Sequence, residues 1–478
     1  MTVPGIGAGA GAGGKGYTPS SVPPLSASGE LAVFVSELPG EIAAVAPRLL
    51  TRATDATLDT IGCIVFGATQ PWTAAVARHV LATGGDGPCT VAGTERTTTP
   101  AMAAFANGAA AHAFELDDVH EEAISHPGAV VVPAALAMAE HLGASGRALL
   151  EAIVVGYEAM GRAGIAVGPA SHMLGGFHPT SMSGVFGAAA AAGALLGFDG
   201  AQMNEAFGIA ASLASGTMEF ASSGGMAKRI HAGRAAEGGL TAALLVADGL
   251  EGATDGLAGT YGFCRVFTDD PKVELLTDRL GERWMLDEIT VKPYAACSDI
   301  HPMIQAAAEL RDQHDIDPAR IVRIEAEGPT KAATQNNMDG TVSVMAAQYS
   351  AQFNIAAALL ADPSDPSTYQ PANLHDRALA ALQAKVASVE AAPEFDETYA
   401  WKMGGRVRIS LDDGTTLERT VVGQMGSMHA PLTSAELDAK FARLVGPANA
   451  AALTTTIRSL DATEGTAELS AVLRRSSP

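Results

Sequence analysis

The sequence predicts a mostly α protein, with a large all-helical domain followed by a smaller α+β domain. Three observations predict it. From about residue 27 to 285 apolar residues recur at helical spacing with only short breaks. From about 290 to 425 two-residue alternation enters between helical stretches. Nowhere does strand–helix alternation repeat, which excludes a doubly wound parallel sheet. Apolar residues make up 47% of the chain and charged residues 17%, a globular balance, and 478 residues exceed one ordinary core.

Residues 1–25 are rich in Gly, Ala, Pro and Ser and read as a flexible tail. The Gly5-Ile6-Gly7 run inside it is not a dinucleotide site, because no strand precedes it and no acidic partner follows. The helical domain spans 26–288. Leu49, Leu50, Ala53, Leu58, Ile61 and Val65 place a helix over Arg48–Gly67, and Ser145 caps another running towards Ile165. An alanine-rich helix covers Gly184–Leu196, and a further one Gly233–Leu250. The α+β domain spans 289–425. Val322, Ile324 and Ala326 alternate to one side of a strand, as do Val407, Ile409 and Leu411, and Asp413-Gly414 turns the second strand into Thr416–Val421. Helices lie between, at Pro302–Gln313 and Leu374–Val389. Thr433-Ser434-Ala435-Glu436 is a capping box, so helices over 426–465 return to the helical domain, and the last 15 or so residues fray.

Cys63, Cys89, Cys264 and Cys297 show no pairing or CxxC spacing, which argues against disulfides and structural zinc and fits a reducing compartment. No charge-free apolar run of about 18 residues stands out, and the N-terminus lacks the basic and apolar regions of a signal peptide, so the expected location is cytoplasmic. A net charge of −22 repels nucleic acid and anionic membranes. In so acidic a chain, lysines and arginines inside motifs are the natural partners of an anionic substrate.

Four segments could carry chemistry. Residues 112–128 hold His112, Glu115, Asp117, Asp118, His120, Glu121, Glu122 and His126, and imidazoles among carboxylates suit proton transfer near neutral pH. The segment contains no HxxxH, HExxH or nearby cysteine, so no metal is expected. Gly175–Thr180 sets His178 at a glycine-rich helix entrance, where backbone N–H groups favour an anion. Ser222–Arg234 puts Lys228, Arg229, His231 and Arg234 ahead of a helix. Val291–Pro302 places His301 at the start of the α+β domain, with Cys297 read as a buried structural thiol. No GxSxG, Walker or kinase signature is present.

These segments, in this order, resemble the MmgE/PrpD family. The resemblance rests on Asn107-Gly108 with His112, on DDVHEEAISHPGAVVVPAALA from Asp117, and on GYEAMGR at 156–162. It continues through GFHPTSMSGVFGAAAAAGALLG at 176–197, KRIHAGRAAEGG at 228–239 and KPYAACSDIHP at 292–302, and covers about residues 30–445. It implies an all-helical domain with an α+β lid, a homodimer, and no metal or organic cofactor. Family reactions dehydrate, decarboxylate or epimerise small polycarboxylates by moving a proton at a carbon beside a carboxylate. By resemblance, His126 and His301 are the acid–base pair, and Asp117 orients His126 or acts as a base itself. Lys228 and His178 bind carboxylates or donate protons, while Glu115, His120 and Arg229 complete the substrate contacts. Two positions depart from the decarboxylase-like pattern, Glu115 in place of Asp and Val119 where Thr often follows the double acid. The implied activity is a lyase, with an epimerase or isomerase and a non-catalytic polycarboxylate-binding protein as the alternatives.

Overall fold

A computed structural model describes residues 25–168, 176–220, 225–338 and 343–475. The expected N-terminal tail lies almost wholly outside the described residues, as do Gly175 and residues 222–224 of the motifs. The protein is mostly α. Five long helices build the helical part: Arg48–Ala68, Gly128–Leu142, Gly146–Val167, Pro179–Leu196 and Lys228–Ala247. Pro179–Leu196 is the central one, packed by Gly128–Leu142, Gly146–Val167, Gly200–Ala211 and Lys228–Ala247. Its Ala188–Ala192 run is fully buried, because methyl side chains let four neighbours approach a single axis. This helix is long and apolar enough to cross a membrane, contrary to the expectation that the chain holds no such run. However, 83% of it is buried inside the protein, as in a core helix.

Several helix boundaries differ from expectation. The alanine-rich helix begins at Pro179, five residues early, because proline at the first helical position is pre-set for entry. The next begins at Lys228, so Lys228, Arg229, His231 and Arg234 lie within its first two turns rather than ahead of it. Nothing in KRIHAGR breaks a helix.

Four strands form one sheet, in the order Glu390–Ala391, Ile321–Gly328, Gly404–Leu411, Thr416–Val422, with only the first pair parallel. Helix His301–His314 packs on this sheet, burying Met303, Ile304 and Ala307 with Ile324, Val407 and Ile409. The hairpin closes around Asp413-Gly414 with Ser410 opposite Thr416. Val322 is exposed, contrary to the alternation read from sequence. The register shifts between Ile321 and Arg323, so Ile321 turns inward in its place. The helix expected over Leu374–Val389 is only Arg377–Gln383. Asp376 caps its start, and beyond it the backbone of Lys385 and Ala387 bonds to Ile324.

At the other end, Thr433 and Glu436 form the expected capping box, and helix Ser434–Val445 lays Phe441 and Leu444 against the Arg48–Ala68 helix at Gly62. Up to Arg475, where the described residues end, the expected fraying is not found. Ala467–Arg475 is an amphipathic helix with Leu469 and Leu473 buried in the main core.

Candidate functional site

A close helix crossing creates the site. Helix Pro100–Ala111 passes helix Lys228–Ala247 with Gly108 against Gly233, and a Cβ on Gly108 would lie 2.8 Å from the Gly233 Cα. One turn beyond Gly108 the first helix ends at His112, and one turn before Gly233 the second carries Lys228, Arg229 and His231. Only a glycine pair lets these ends approach so closely. The chain then folds Ala113–Pro127 into a buried loop, pinned where Val119–His120 pairs with Ile289–Thr290.

Within the loop Asp117 stands between two imidazoles. Its Oδ2 lies 2.6 Å from Nδ1 of His112 and 3.3 Å from Nδ1 of His126. The Nδ1 of His126 also lies 2.7 Å from the carbonyl oxygen of Asp118. Burial would raise the Asp117 carboxyl, but His112 and His126 outweigh it and hold it far below the usual range. Two further histidines extend the row. The His112 ring lies 5.6 Å from that of His178, which N-caps the Pro179 helix, and His178 Nδ1 is 3.1 Å from His231 Nδ1. Burial pushes the His126 imidazole down to about 3 and His231 to about 4. His178 is held well below its ordinary value by burial, then by His112 and Lys228. These three rings are therefore neutral at pH 7.

Beside the histidines lies a cationic pair. Lys228 Nζ meets one carboxylate oxygen of Glu115 and donates to the Tyr349 hydroxyl at 2.9 Å. Lys292 Nζ lies 3.4 Å from the other Glu115 oxygen. All three charged groups are buried. Burial would raise the Glu115 carboxyl, yet Lys228 and then Lys292 hold it well below the usual range. Glu115 has a φ of +56°, the left-handed region that a Cβ disfavours.

The structure thus brings together Glu115, Asp117, His126, His178 and Lys228 of the expected residues. His301 is fully buried at the edge of this group. Its Nε2 lies 3.1 Å from the Ala296 carbonyl oxygen, and burial, then Lys292, pushes it down to about 3. Among the described residues no ring contact or hydrogen bond joins it to His126, so the expected pair is not assembled directly; Asp117 and His112 are the partners of His126. His120 is turned away, its Nε2 3.5 Å from Glu288 in a group with Arg283 and Glu122. Arg229 donates to the Ala113 carbonyl and stacks 3.9 Å from the Trp72 ring centre. Four further members had no individual role assigned from the sequence. His112 and Lys292 sat inside quoted motifs, and His231 lies one helical turn after Lys228, a spacing that puts them on one face. Tyr349 carried no signal.

His112, Asp117 and His126 each offer a ligand atom, all within 4.8 Å of one another, a two-imidazole, one-carboxylate set that transition metals use. Here His112 Nδ1 and Asp117 Oδ2 hydrogen-bond each other, His126 Nδ1 hydrogen-bonds the Asp118 carbonyl, and Lys228 and Lys292 set positive charge nearby. What the arrangement offers chemically is a buried pair of ammonium groups that can meet an anion, with neutral imidazoles along one wall.

Comparison with known proteins adds a family. The chain matches the MmgE/PrpD N-terminal domain over residues 29–276 and the MmgE/PrpD C-terminal domain over residues 294–463. It is 30% identical over 420 residues to a cis-aconitate decarboxylase of Aspergillus terreus, covering 83% of this chain and 85% of that one. A cis-aconitate decarboxylase-like protein of Aspergillus oryzae is 31% identical over 447 residues, covering 89% and 91%. The Homo sapiens cis-aconitate decarboxylase is 30% identical over 410 residues, covering 82% and 83%.

Proposed function

The chain belongs to the MmgE/PrpD family, and on that premise we propose that it is a cofactor-independent carboxy-lyase acting on a small, unsaturated tricarboxylate of the cis-aconitate class. The observation that carries this reading is the Lys228–Glu115–Lys292 group beside the Asp117-bridged histidines. Two buried ammonium groups sharing one carboxylate form a site that a substrate carboxylate can enter by taking over one of them. The relatives' decarboxylase names favour decarboxylation over the dehydratase, epimerase and purely binding alternatives.

In this mechanism Lys228 and Lys292 bind carboxylates that flank the one to be lost. The carbon–carbon bond to the leaving carboxylate breaks and carbon dioxide departs. The electron pair moves into the adjoining double bond and carboxylate, where the ammonium groups stabilise it. A proton then closes the reaction at carbon, so one substrate and one proton give one carbon dioxide and one dicarboxylate. His126, held in orientation by Asp117, is the proton donor, with His178 and His301 as further acid–base groups. The neutral state of these rings suits this. An arriving polyanion supplies the negative charge that raises their basicity, so the proton is taken up with the substrate. The same reading makes residues 289–425 a lid over the helical domain, the molecule a homodimer and its location cytoplasmic.

Proton NMR in D₂O tests it, with cis-aconitate, citrate, 2-methylcitrate and iminodisuccinate, each with and without EDTA. The reading expects new vinylidene or methylene signals from cis-aconitate, unaffected by EDTA. Deuterium exchange at an α-carbon without loss of carbon would instead establish an epimerase, loss of water a dehydratase, and binding without turnover a retired enzyme.

A further inference from the structure

Four consecutive carbonyls of the loop that carries Glu115 each receive a side-chain donor from a different part of the chain. Arg229 Nη1 donates to the Ala113 carbonyl, and Gln348 Nε2 to that of Phe114 at 2.8 Å. Lys292 Nζ donates to the carbonyl of Glu115 at 3.3 Å, and Lys440 Nζ to that of Leu116 at 2.8 Å. All four donor residues are buried. A carbonyl row this regular is ordinarily satisfied by a helix or a sheet partner. Here the loop has neither, since helix Pro100–Ala111 has ended and the next pairing begins only at Val119.

The need for such bracing is visible at Glu115. Its left-handed φ is costly for a residue with a Cβ and persists only where the surroundings over-determine it. That conformation is also what turns its side chain into the gap between Lys228 and Lys292. Lys292 belongs to the cationic pair itself, and Arg229 follows Lys228 directly in the chain. Gln348 and Lys440 reach the loop from afar, 234 and 324 residues away in sequence from the carbonyls they hold.

We infer that Gln348 and Lys440 are positioning residues of the active site, clamping the Phe114 and Leu116 carbonyls so that Glu115 is held in its left-handed conformation between the two lysines. Neither touches the position of the reacting atoms, and each acts through the backbone of Glu115. Gln348 precedes Tyr349, the hydroxyl that Lys228 meets, so one short segment of the α+β part sets both the loop and the lysine. Lys440 is itself fixed 2.5 Å from Asp59 on the Arg48–Ala68 helix, so docking of helix Ser434–Val445 is tied to the geometry of the site. The site is therefore complete only when the part after residue 289 and helix Ser434–Val445 are both seated.

This inference rests on the lyase reading for its kinetic readout but not for its structural one. The variants are Gln348→Met, which keeps the volume and removes the donor, and the double variant Asp59→Leu with Lys440→Met. The second removes a buried ion pair together rather than orphaning one charge, a change that folded proteins often tolerate. Lys440→Arg is the conservative control. Crystal structures of the variants read Glu115 directly. The expected result is that Glu115 leaves φ near +56° or loses Lys228 or Lys292. With it, kcat falls about 10- to 100-fold while KM changes less, as for a misplaced catalytic group. The acid limb of the kcat/KM profile moves to higher pH as Glu115 loses its lysines, and Lys440→Arg recovers most of the loss. If both variants fold with Glu115 unmoved and with wild-type kcat and pH profile, the inference is overturned, and a lowered Tm alone leaves it overturned too. Should the wild-type protein turn over none of the panel acids, the lyase reading fails, and the position of Glu115 in the variant structures still decides this one.

Discussion

The Oδ2 of Asp117 lies 2.6 Å from Nδ1 of His112, both side chains buried. A carboxylate in this position fixes the tautomer of the ring it meets and holds the ring in place. Its 3.3 Å approach to His126 does the same for the proposed proton donor. Asp117→Asn keeps the shape and removes the charge, so kcat should fall about 10²- to 10³-fold with KM changed little. Steady-state kinetics on the accepted acid checks it, and an unchanged kcat would remove Asp117 from the mechanism.

Lys228 is proposed to hold a substrate carboxylate. Lys228→Met leaves Glu115 paired with Lys292 alone, so the site loses one of its two cations. Affinity for the substrate should weaken about 10- to 100-fold, the loss of a charge-assisted contact in a desolvated site. Calorimetric titration measures it. Wild-type affinity in this variant would place the substrate elsewhere.

Stability should fall on both sides of neutrality, for opposite reasons. Burial pushes His126 and His301 down to about 3. An unfolded chain protonates these rings below about 6.5, so the stability they contribute is full above that pH and lost as pH falls towards 3. Glu121 runs the other way. Burial pushes its carboxyl up to about 7 against hydrogen bonds from Thr290 and Gln424. Unfolded it ionises above about 4.3, so its contribution is full below that and lost as pH rises through 7. Glu121→Gln should therefore stabilise the protein on the order of 2 kcal/mol at pH 8 and much less at pH 5. Urea melts at the two pH values check it, and an equal gain at both would contradict the assignment.

The C-terminal helix Ala467–Arg475 buries Leu469 and Leu473 in the main core. Each leucine cut to alanine should cost about 2–4 kcal/mol of unfolding free energy, as buried leucines do. Denaturant titration of Leu469→Ala and Leu473→Ala tests this. No loss would mean that the end frays, as its sequence position implied.

Much of this was legible in the sequence where local chemistry decides. The Ser145 cap, the Thr433 capping box, the Asp413-Gly414 turn and the Arg48 helix all follow from a few adjacent residues. The motif that joins Asp117 and His126 was visible because both lie within ten positions. Tyr349, which meets Lys228, and Gln348 and Lys440, which hold the Glu115 loop, were not visible, because each makes its contact only through tertiary packing more than 100 residues away in sequence. His120 misled for the complementary reason. Closeness in sequence to His126 does not survive the Val119–His120 pairing with Ile289–Thr290, which turns its ring towards Glu288. Val322 was misplaced by a single register shift, which no alternation pattern reveals.

The proposed chemistry of this site is decarboxylation of a polycarboxylate with delivery of a proton to carbon. The most direct test is single-turnover reaction of the protein with cis-aconitate in D₂O, counting carbon dioxide released and deuterium gained by the organic product. The expected result is one carbon dioxide and one carbon-bound deuterium for each acid consumed, with the rate lost in His126→Ala and unchanged by EDTA. Carbon dioxide release that survives His126→Ala at the wild-type rate, or turnover of the acid with its carbon skeleton intact, would contradict it.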